Sequence, residues 1–437
     1  MDEDLEGLMN YARNELKALS EQGCETWELE RRVELIGEED APDAREQLEA
    51  LCHRMENLRP GPNFPYDEPS TLDEIRARCP EGPRHIAVPL STEALEDKTR
   101  GAWLGRIAGC MLGKPVEGWS RDNIADLMEV CGLEELTDYL PECPDNNRGV
   151  ELPEGSPVLR PNITRGVRDD DIDYTIVGLR VLEDHGRHFE PRQVAEFWLG
   201  HLPYRRTYTA ERAAYRNFVN DLWPPRSATH HNPYREWIGA QIRADAFGYA
   251  CPGRPEEAAS LAFKDACISH VKNGIYGEMW VAAMLATAFV TEDISKVVEV
   301  GLTEIPKKCR LAEDIREVVA WREENLTAEE ALDNIMEEYG HYHRVHTINN
   351  PAIVARALLW GEKDFSRTVG LAVQAGLDTD CNGATAGSVL GALLGADAIP
   401  EHWVEPLNDR VETAVFGEAG LTITGLAART RTVQDSA

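Results

Sequence analysis

The sequence predicts an all-α protein. From Ser91 onward, apolar residues recur at helical spacing in successive segments, and Gly, Pro and Asn punctuate those segments. No sustained polar–apolar alternation demands a sheet. The first sixty residues carry the same signal in a more charged form: a Glu- and Leu-rich stretch from Asp2 to Arg59 places Leu5, Leu8, Met9, Tyr11, Leu16 and Leu19 at helical spacing, so two or three amphipathic helices are expected there. They end at Pro60-Gly61-Pro62-Asn63-Phe64-Pro65, where prolines fix φ and remove backbone donors, which predicts an extended linker. Two domains follow from this reading: residues 1–90, a helical extension with its Pro-rich linker, and residues 91–437, the main domain. Residues 120–164 and 204–233 read as irregular insertions, the first polar and Pro-containing, the second rich in Arg and aromatics; such segments often carry recognition.

Composition narrows the function. Across 437 residues, 77 Asp and Glu face 45 Lys and Arg, and the formal net charge of −32 repels polyanions, so no nucleic-acid partner is expected. The ten Cys show neither CxxC pairs nor zinc-like spacing, and the N-terminus lacks the basic-then-apolar pattern of a signal peptide; both point to a reduced, cytoplasmic protein. The longest apolar stretch, 281–290, is far short of the roughly 20 residues that cross a bilayer, so no membrane partner is expected either.

Three motifs carry chemistry. The first is Arg168-Asp169-Asp170-Asp171-Ile172-Asp173-Tyr174-Thr175, where carboxylates gather at a helix start. Capping and the helix dipole account for one or two Asp; several adjacent ones repel unless a hard cation binds among them. The second is Asp378-Thr379-Asp380-Cys381-Asn382, a turn before a helix in which Gly383, Gly387, Gly391 and Gly395 recur every four residues. Those glycines line one face and admit another helix backbone, at a cost of roughly 1 kcal/mol each in propensity, and such closeness would hold Asp378 and Asp380 against the first motif. The third is a small-residue helix from Gly105 running into Lys114-Pro115, followed by a single acid, Glu117.

In this order and spacing the motifs resemble the ADP-ribosylglycohydrolase family, over residues 93–398. The resemblance implies an orthogonal multi-helix bundle with an N-terminal helical extension outside it, and a centre of two ions, Mg²⁺ or Mn²⁺, at the base of a cleft. It assigns the metal to Asp170 and Asp171, to Asp169 where the family has Thr, to Asp378 and Asp380, and to Cys381 where the family again has Thr. Asp169 would add a charge, and Cys381 would offer a soft thiol to a hard metal. Glu117 matches the acid that the family carries near the cleft mouth, where it gates the site or orients water. The segment 238–248 around Arg243 and the Ser269-His270 turn resemble family scaffold, with His270 a buried, hydrogen-bonded histidine. The irregular spacing of His341, His343 and His346 argues against ligation.

The implied activity is that of a glycosidase: hydrolysis of a ribosyl N- or O-glycosidic bond, most readily of an ADP-ribosyl group. Its transition state carries positive charge at the anomeric carbon, which an acidic site stabilises; Glu117, Asp170 and Asp171 are the expected catalytic groups. Arg205, Arg206 and Tyr208, with Tyr204, Tyr215 and Arg216, are candidates to receive pyrophosphate and adenine. The competing readings are a glycohydrolase of a small nucleoside- or nucleotide-like metabolite, and a catalytically silent binding protein of the same fold. Retention of every acidic position argues against the last. The N-terminal helices are expected to mediate homo-oligomerisation, cover the cleft or bind a partner.

Overall fold

The first three helices form because each can bury one apolar stripe against the other two. In the computed structural model these are α1 (Leu5–Glu21), α2 (Trp27–Glu38) and α3 (Ala44–Met55). Leu8, Ala12, Leu16 and Leu19 of α1 meet Leu29, Val33 and Ile36 of α2 and Leu48, Leu51 and Met55 of α3 in a core of their own. The structure describes residues 5–38, 43–144, 146 and 148–436. The start of the expected helical stretch at Asp2, and Ala437 at the end of the second expected domain, lie outside the described residues.

The Pro-rich segment is irregular as its prolines require, but α4 (Leu72–Arg78) follows within what the sequence presents as linker. Two turns with one buried apolar residue leave no periodicity to read. That residue, Ile75, is fully buried and belongs to the main core. Glu68, just upstream, accepts from the Arg310 guanidinium at 2.9 Å and from the Asn273 amide at 2.8 Å.

The main body begins at α5 (Thr92–Gly113), capped by the Ser91 hydroxyl, which accepts from the Ala94 N–H at 3.2 Å. It continues through α6 (Arg121–Cys131), α7 (Asp170–His185), α8 (Pro191–His201), α9 (Thr209–Val219), α10 (Asp245–Ala250), α11 (Pro255–Ala266) and α12 (Asn273–Ala288). Then come α13 (Ile294–Leu302), α14 (Arg310–Glu323), α15 (Ala328–Tyr339), α16 (Asn349–Trp360), α17 (Phe365–Gln374), α18 (Thr379–Leu394), α19 (Glu401–Val404) and α20 (Ile423–Asp435). Among the described residues these 20 helices carry the fold, and only isolated bridges, no strands, occur. None of them is long and apolar enough to cross a membrane.

Two of the expected irregular insertions contain helices. The 120–164 segment opens with α6, capped by Ser120, and 204–233 contains α9. The buried face of α9 is built largely from Ala210, Ala213 and Ala214, so its amphipathicity hides behind conspicuous Arg and Tyr.

At the centre, α12 is buried on every face, its sequence apolar apart from Asn273, Glu278 and Thr287. Beside it, α5 and α18 pack backbone to backbone. A Cβ on Gly101, Gly105 or Gly109 would run into the carbonyls of Gly391, Gly387 or Gly383, and the converse holds for each partner. The glycine ladder of α18 therefore meets a matching ladder on α5. This zipper fixes where both helices end, and the site lies at those ends.

Candidate functional site

Two helix N-termini and one helix C-terminus converge. Asp169 caps α7, its carboxylate accepting from the Asp171 N–H at 3.0 Å. Asp378 precedes α18, and its own N–H donates to Asn350 Oδ1 at 3.3 Å; the Asn382 amide donates to the same oxygen at 2.8 Å. Thr379 Oγ1 donates to the Gly113 carbonyl at 2.8 Å, tying the start of α18 to the end of α5. Beyond that end, the Gly118 N–H donates to the Leu377 carbonyl at 2.9 Å and the Leu377 N–H to the Trp119 carbonyl at 3.1 Å. Leu377 sits at φ 67° and Gly376 at φ 76°, so the turn carrying the second motif is held in a left-handed conformation that Leu rarely adopts.

The result is two overlapping groups of ligand atoms, Asp169, Asp171 and Asp380 in one, Asp378, Asp380 and Cys381 in the other, each group with its atoms within 4.8 Å of one another. Asp380 belongs to both, and all five residues are buried. Among the described residues, Asp380 Oδ1 has no hydrogen-bond partner. Burial, and then the charge of Asp169, push Asp380 and Asp170 well above the usual carboxylate range. Burial likewise lifts Asp171 to about 8, against the pull of Arg106, and Asp378 to about 7. A crowded, desolvated set of acids with an orphaned oxygen is the environment a divalent cation relieves, and the donors suit a hard one.

Cys381 behaves as a hydrogen-bond donor. Its thiol points at Asp171 Oδ2 at 3.1 Å, and burial among carboxylates holds it neutral, its pKa well above that of a free thiol. Asp170, by contrast, stands outside both groups. Glu117 is exposed at the rim, near enough for its charge to raise Asp378 and Asp380.

Two cations that the sequence reading passed over serve the acids. Arg106, fully buried in α5, donates to Asp171 Oδ1 at 2.9 Å, to the Asp171 carbonyl at 3.0 Å and to the Ile242 carbonyl at 2.7 Å. It also pairs with Asp245 at 3.1 Å, which Ser388 and Tyr249 hold in turn. A single Arg within the otherwise small and apolar stretch from Gly101 to Gly113 was the available signal. Lys114, two turns further along, makes a very close ion pair with Asp169. Burial pulls its ammonium down and Asp169 more than reverses this.

Around this centre, Arg168 donates to Asp173 at 2.7 Å and to the Arg206 carbonyl at 3.3 Å, which brings the 204–208 segment beside the acidic triplet. Arg205, Arg206 and Tyr208 are exposed there, and the Arg212 guanidinium lies over the Tyr208 ring at 5.5 Å. Tyr215 is buried and packs edge-on against Tyr204 at 5.5 Å, so its ring serves packing. Arg243 is wholly buried between Glu211 and Asp265. His270 is buried with Nδ1 2.8 Å from Ser269 Oγ, and burial drives it well below the normal histidine range. His341, His343 and His346 do not converge: His343 stacks on Trp237 at 4.0 Å, while His346 faces Glu21 at 3.6 Å.

The chain is similar to known proteins over its main body. The model of the family described as ADP-ribosylglycohydrolase matches residues 91–435. An uncharacterised protein of Archaeoglobus fulgidus is 27% identical over 327 residues, covering 72% of this chain and 93% of its own. Among solved structures, an ADP-ribosylglycohydrolase-related protein complex superposes with a TM-score of 0.47 at 20% identity, over 78% of this chain and 99% of that one.

Proposed function

The chain belongs to the ADP-ribosylglycohydrolase family, and from that premise we propose that it is a metal-dependent hydrolase of a ribosyl glycosidic bond, with an ADP-ribosyl group as the leading substrate. The observation that carries the proposal is the pair of ligand groups sharing Asp380, whose buried Oδ1 has no partner among the described residues. Asp169, Asp171, Asp378 and Asp380 would hold one or two ions of the Mg²⁺ or Mn²⁺ type. Bound there, such ions supply Lewis acidity and lower the pKa of water.

The chain's own groups supply the rest. The assembled carboxylates present negative potential to the positive charge that develops at the anomeric carbon. Arg106 fixes the rotamer of Asp171 from behind, and the Cys381 thiol fixes its other oxygen. Glu117, exposed at the mouth and free of the inner network, is suited to orient or deprotonate the attacking water or to assist the leaving group. Asp170, outside both ligand groups and under the influence of the Arg168 charge, would contact the substrate sugar. Arg205, Arg206 and Tyr208 offer phosphate-binding and stacking groups beside it.

The test is calorimetric titration of ADP-ribose into metal-stripped protein with and without Mn²⁺, alongside Asp378→Ala. Binding of ADP-ribose only with metal, lost in the variant while its helical circular dichroism is retained, supports the reading. Metal-independent binding, or unchanged metal binding in Asp378→Ala, defeats it.

A further inference from the structure

A cavity of about 620 Å³ lies where the N-terminal helices meet the main body, and nothing in the hydrolytic reading uses it. Its size falls within the roughly 300–1,000 Å³ of small-molecule sites. Most of its wall comes from residues before 91, outside the segment matched to the family.

In a chain of net charge −32, this wall gathers three cations that no carboxylate of the described residues pairs. Of its three acids, Glu15 is taken by Arg235 at 2.7 Å and Glu68 by Arg310 at 2.9 Å, while Glu56 is exposed and lies 3.8 Å from His53. Arg59, Arg226 and Lys272 make no salt bridge among the described residues; Arg59 donates to the carbonyls of Glu56 and Leu58, and Lys272 Nζ to Gln22 Oε1 at 3.2 Å. Gln22, a residue of the cavity wall, is only 6% exposed, and its buried amide nitrogen has no acceptor among the described residues. A buried donor without a partner is costly, and beside an ammonium it marks a place for an anionic acceptor. Lys272 is held at φ 48°, a region an unbranched L-residue enters only under constraint, with its N–H on Ser70 Oγ at 3.2 Å. Flat faces complete the wall: Tyr11, stacked with His231 at 4.8 Å, and Phe64, edge-on to Tyr66 at 5.2 Å.

We propose that this cavity binds a small phosphorylated ligand bearing a planar ring, of the nucleoside monophosphate class. Lys272, the Gln22 amide and Arg226 receive the phosphate, and the aromatic wall receives the ring. The site is independent of the acid cluster and stands whether or not that cluster hydrolyses a ribosyl bond.

The experiment titrates AMP, inorganic phosphate and adenosine into the full chain in EDTA, so that the acid cluster holds no metal. AMP binds, phosphate binds more weakly, and adenosine weakest. The exposed Arg226→Ala change combined with Lys272→Gln lowers AMP affinity by roughly tenfold or more, Gln22→Glu lowers it as well, and Asp378→Asn leaves it unaltered. Absence of AMP and phosphate binding to the parent overturns the proposal. So does AMP binding that survives Arg226→Ala/Lys272→Gln or disappears in Asp378→Asn.

Discussion

Arg106 is the residue on which the acid cluster leans from inside the protein. It is fully buried and shared between Asp171 and Asp245, each also fully or almost fully buried. Its guanidinium meets oxygens of Asp171, Ile242 and Asp245 at once, at least four in all, a geometry that lysine's single ammonium cannot reproduce. Arg106→Met strands two buried carboxylates, so urea unfolding should reveal a loss of about 3–5 kcal/mol, the usual cost of breaking a buried pair by removing one partner. Added Mn²⁺ should restore part of it, because a cation compensates Asp171. Lys114 poses the opposite problem, since it competes with any cation for Asp169. Lys114→Met should tighten Mn²⁺ binding by roughly two- to fivefold, the equivalent of the ~0.5–1 kcal/mol of a partly exposed pair, as read by calorimetry; weaker binding would mean that Lys114 assists the metal rather than displacing it. The acids of the cluster were legible because clustered Asp at two helix starts has few structural uses. Their partners were not, because a sequence shows neither that Arg106 reaches from α5 to α7 nor that Cys381 turns its thiol toward Asp171.

At the scale of elements, α5 and α18 test whether a glycine is there for space or by indifference. Gly109 in α5 faces the Gly383 carbonyl, and even a methyl group would force the two backbones apart. Gly200 in α8 has nothing within 4 Å of an added Cβ. The same change should therefore act with opposite sign. Gly200→Ala should stabilise by about 0.5–1 kcal/mol through helix propensity and a less flexible unfolded chain. Gly109→Ala should destabilise by at least ~1–3 kcal/mol through overpacking and should weaken metal binding, because the zipper sets the spacing of Gly113 and Thr379. A melting temperature raised in both variants would dissolve the argument. The ladder on α18 was visible as a four-residue repeat, and the spacing implied a close helix partner; that α5 carries the complementary repeat, Gly101 to Gly113, was equally present but needed the pairing to be noticed. The elements missed, α4, α6 and α9, are short and lie in segments whose Pro, Arg and polar content reads as irregular; the helical spacing of Ile124, Leu127 and Met128 in α6 was present but spans little more than one turn.

For the molecule as a whole, the question is how firmly the N-terminal helices sit on the body, since they have a core of their own. Helix α1 docks with Glu15 on Arg235, Tyr11 stacked on His231, and Glu21 3.6 Å from His346. The last pair makes docking sensitive to pH in two opposing ways. Burial raises Glu21 from 4.5 to about 7, with Lys17, Arg235 and Arg310 pulling it down and Glu236 pushing it up. Burial lowers His346 from 6.5 to about 3, opposed by Glu236 and reinforced by Arg310, Lys17 and His343. For Glu21 the docked form holds the proton more tightly, so its contribution is complete below pH 4.5 and is lost as pH rises through 7. For His346 the docked form refuses the proton, so its contribution is complete above pH 6.5 and is lost as pH falls toward 3. Between pH 4.5 and 6.5 one group takes up a proton on docking while the other gives one up, and their slopes cancel. Single substitutions unmask them. Relative to the parent, Glu21→Gln should make α1 docking weaken as pH falls from 6.5 to 5, and His346→Gln should make it strengthen over the same interval, each by up to roughly tenfold per pH unit for one proton. Hydrogen exchange of the α1 amides, or the rate of proteolysis within residues 56–71, reads the docked fraction directly. His343, itself pushed down to about 4 by burial, is present in every variant, so it drops out of the comparison. Parallel pH profiles in all three proteins would show that α1 carries its interface without the Glu21–His346 pair, through contacts such as Glu15 with Arg235 and Tyr11 with His231.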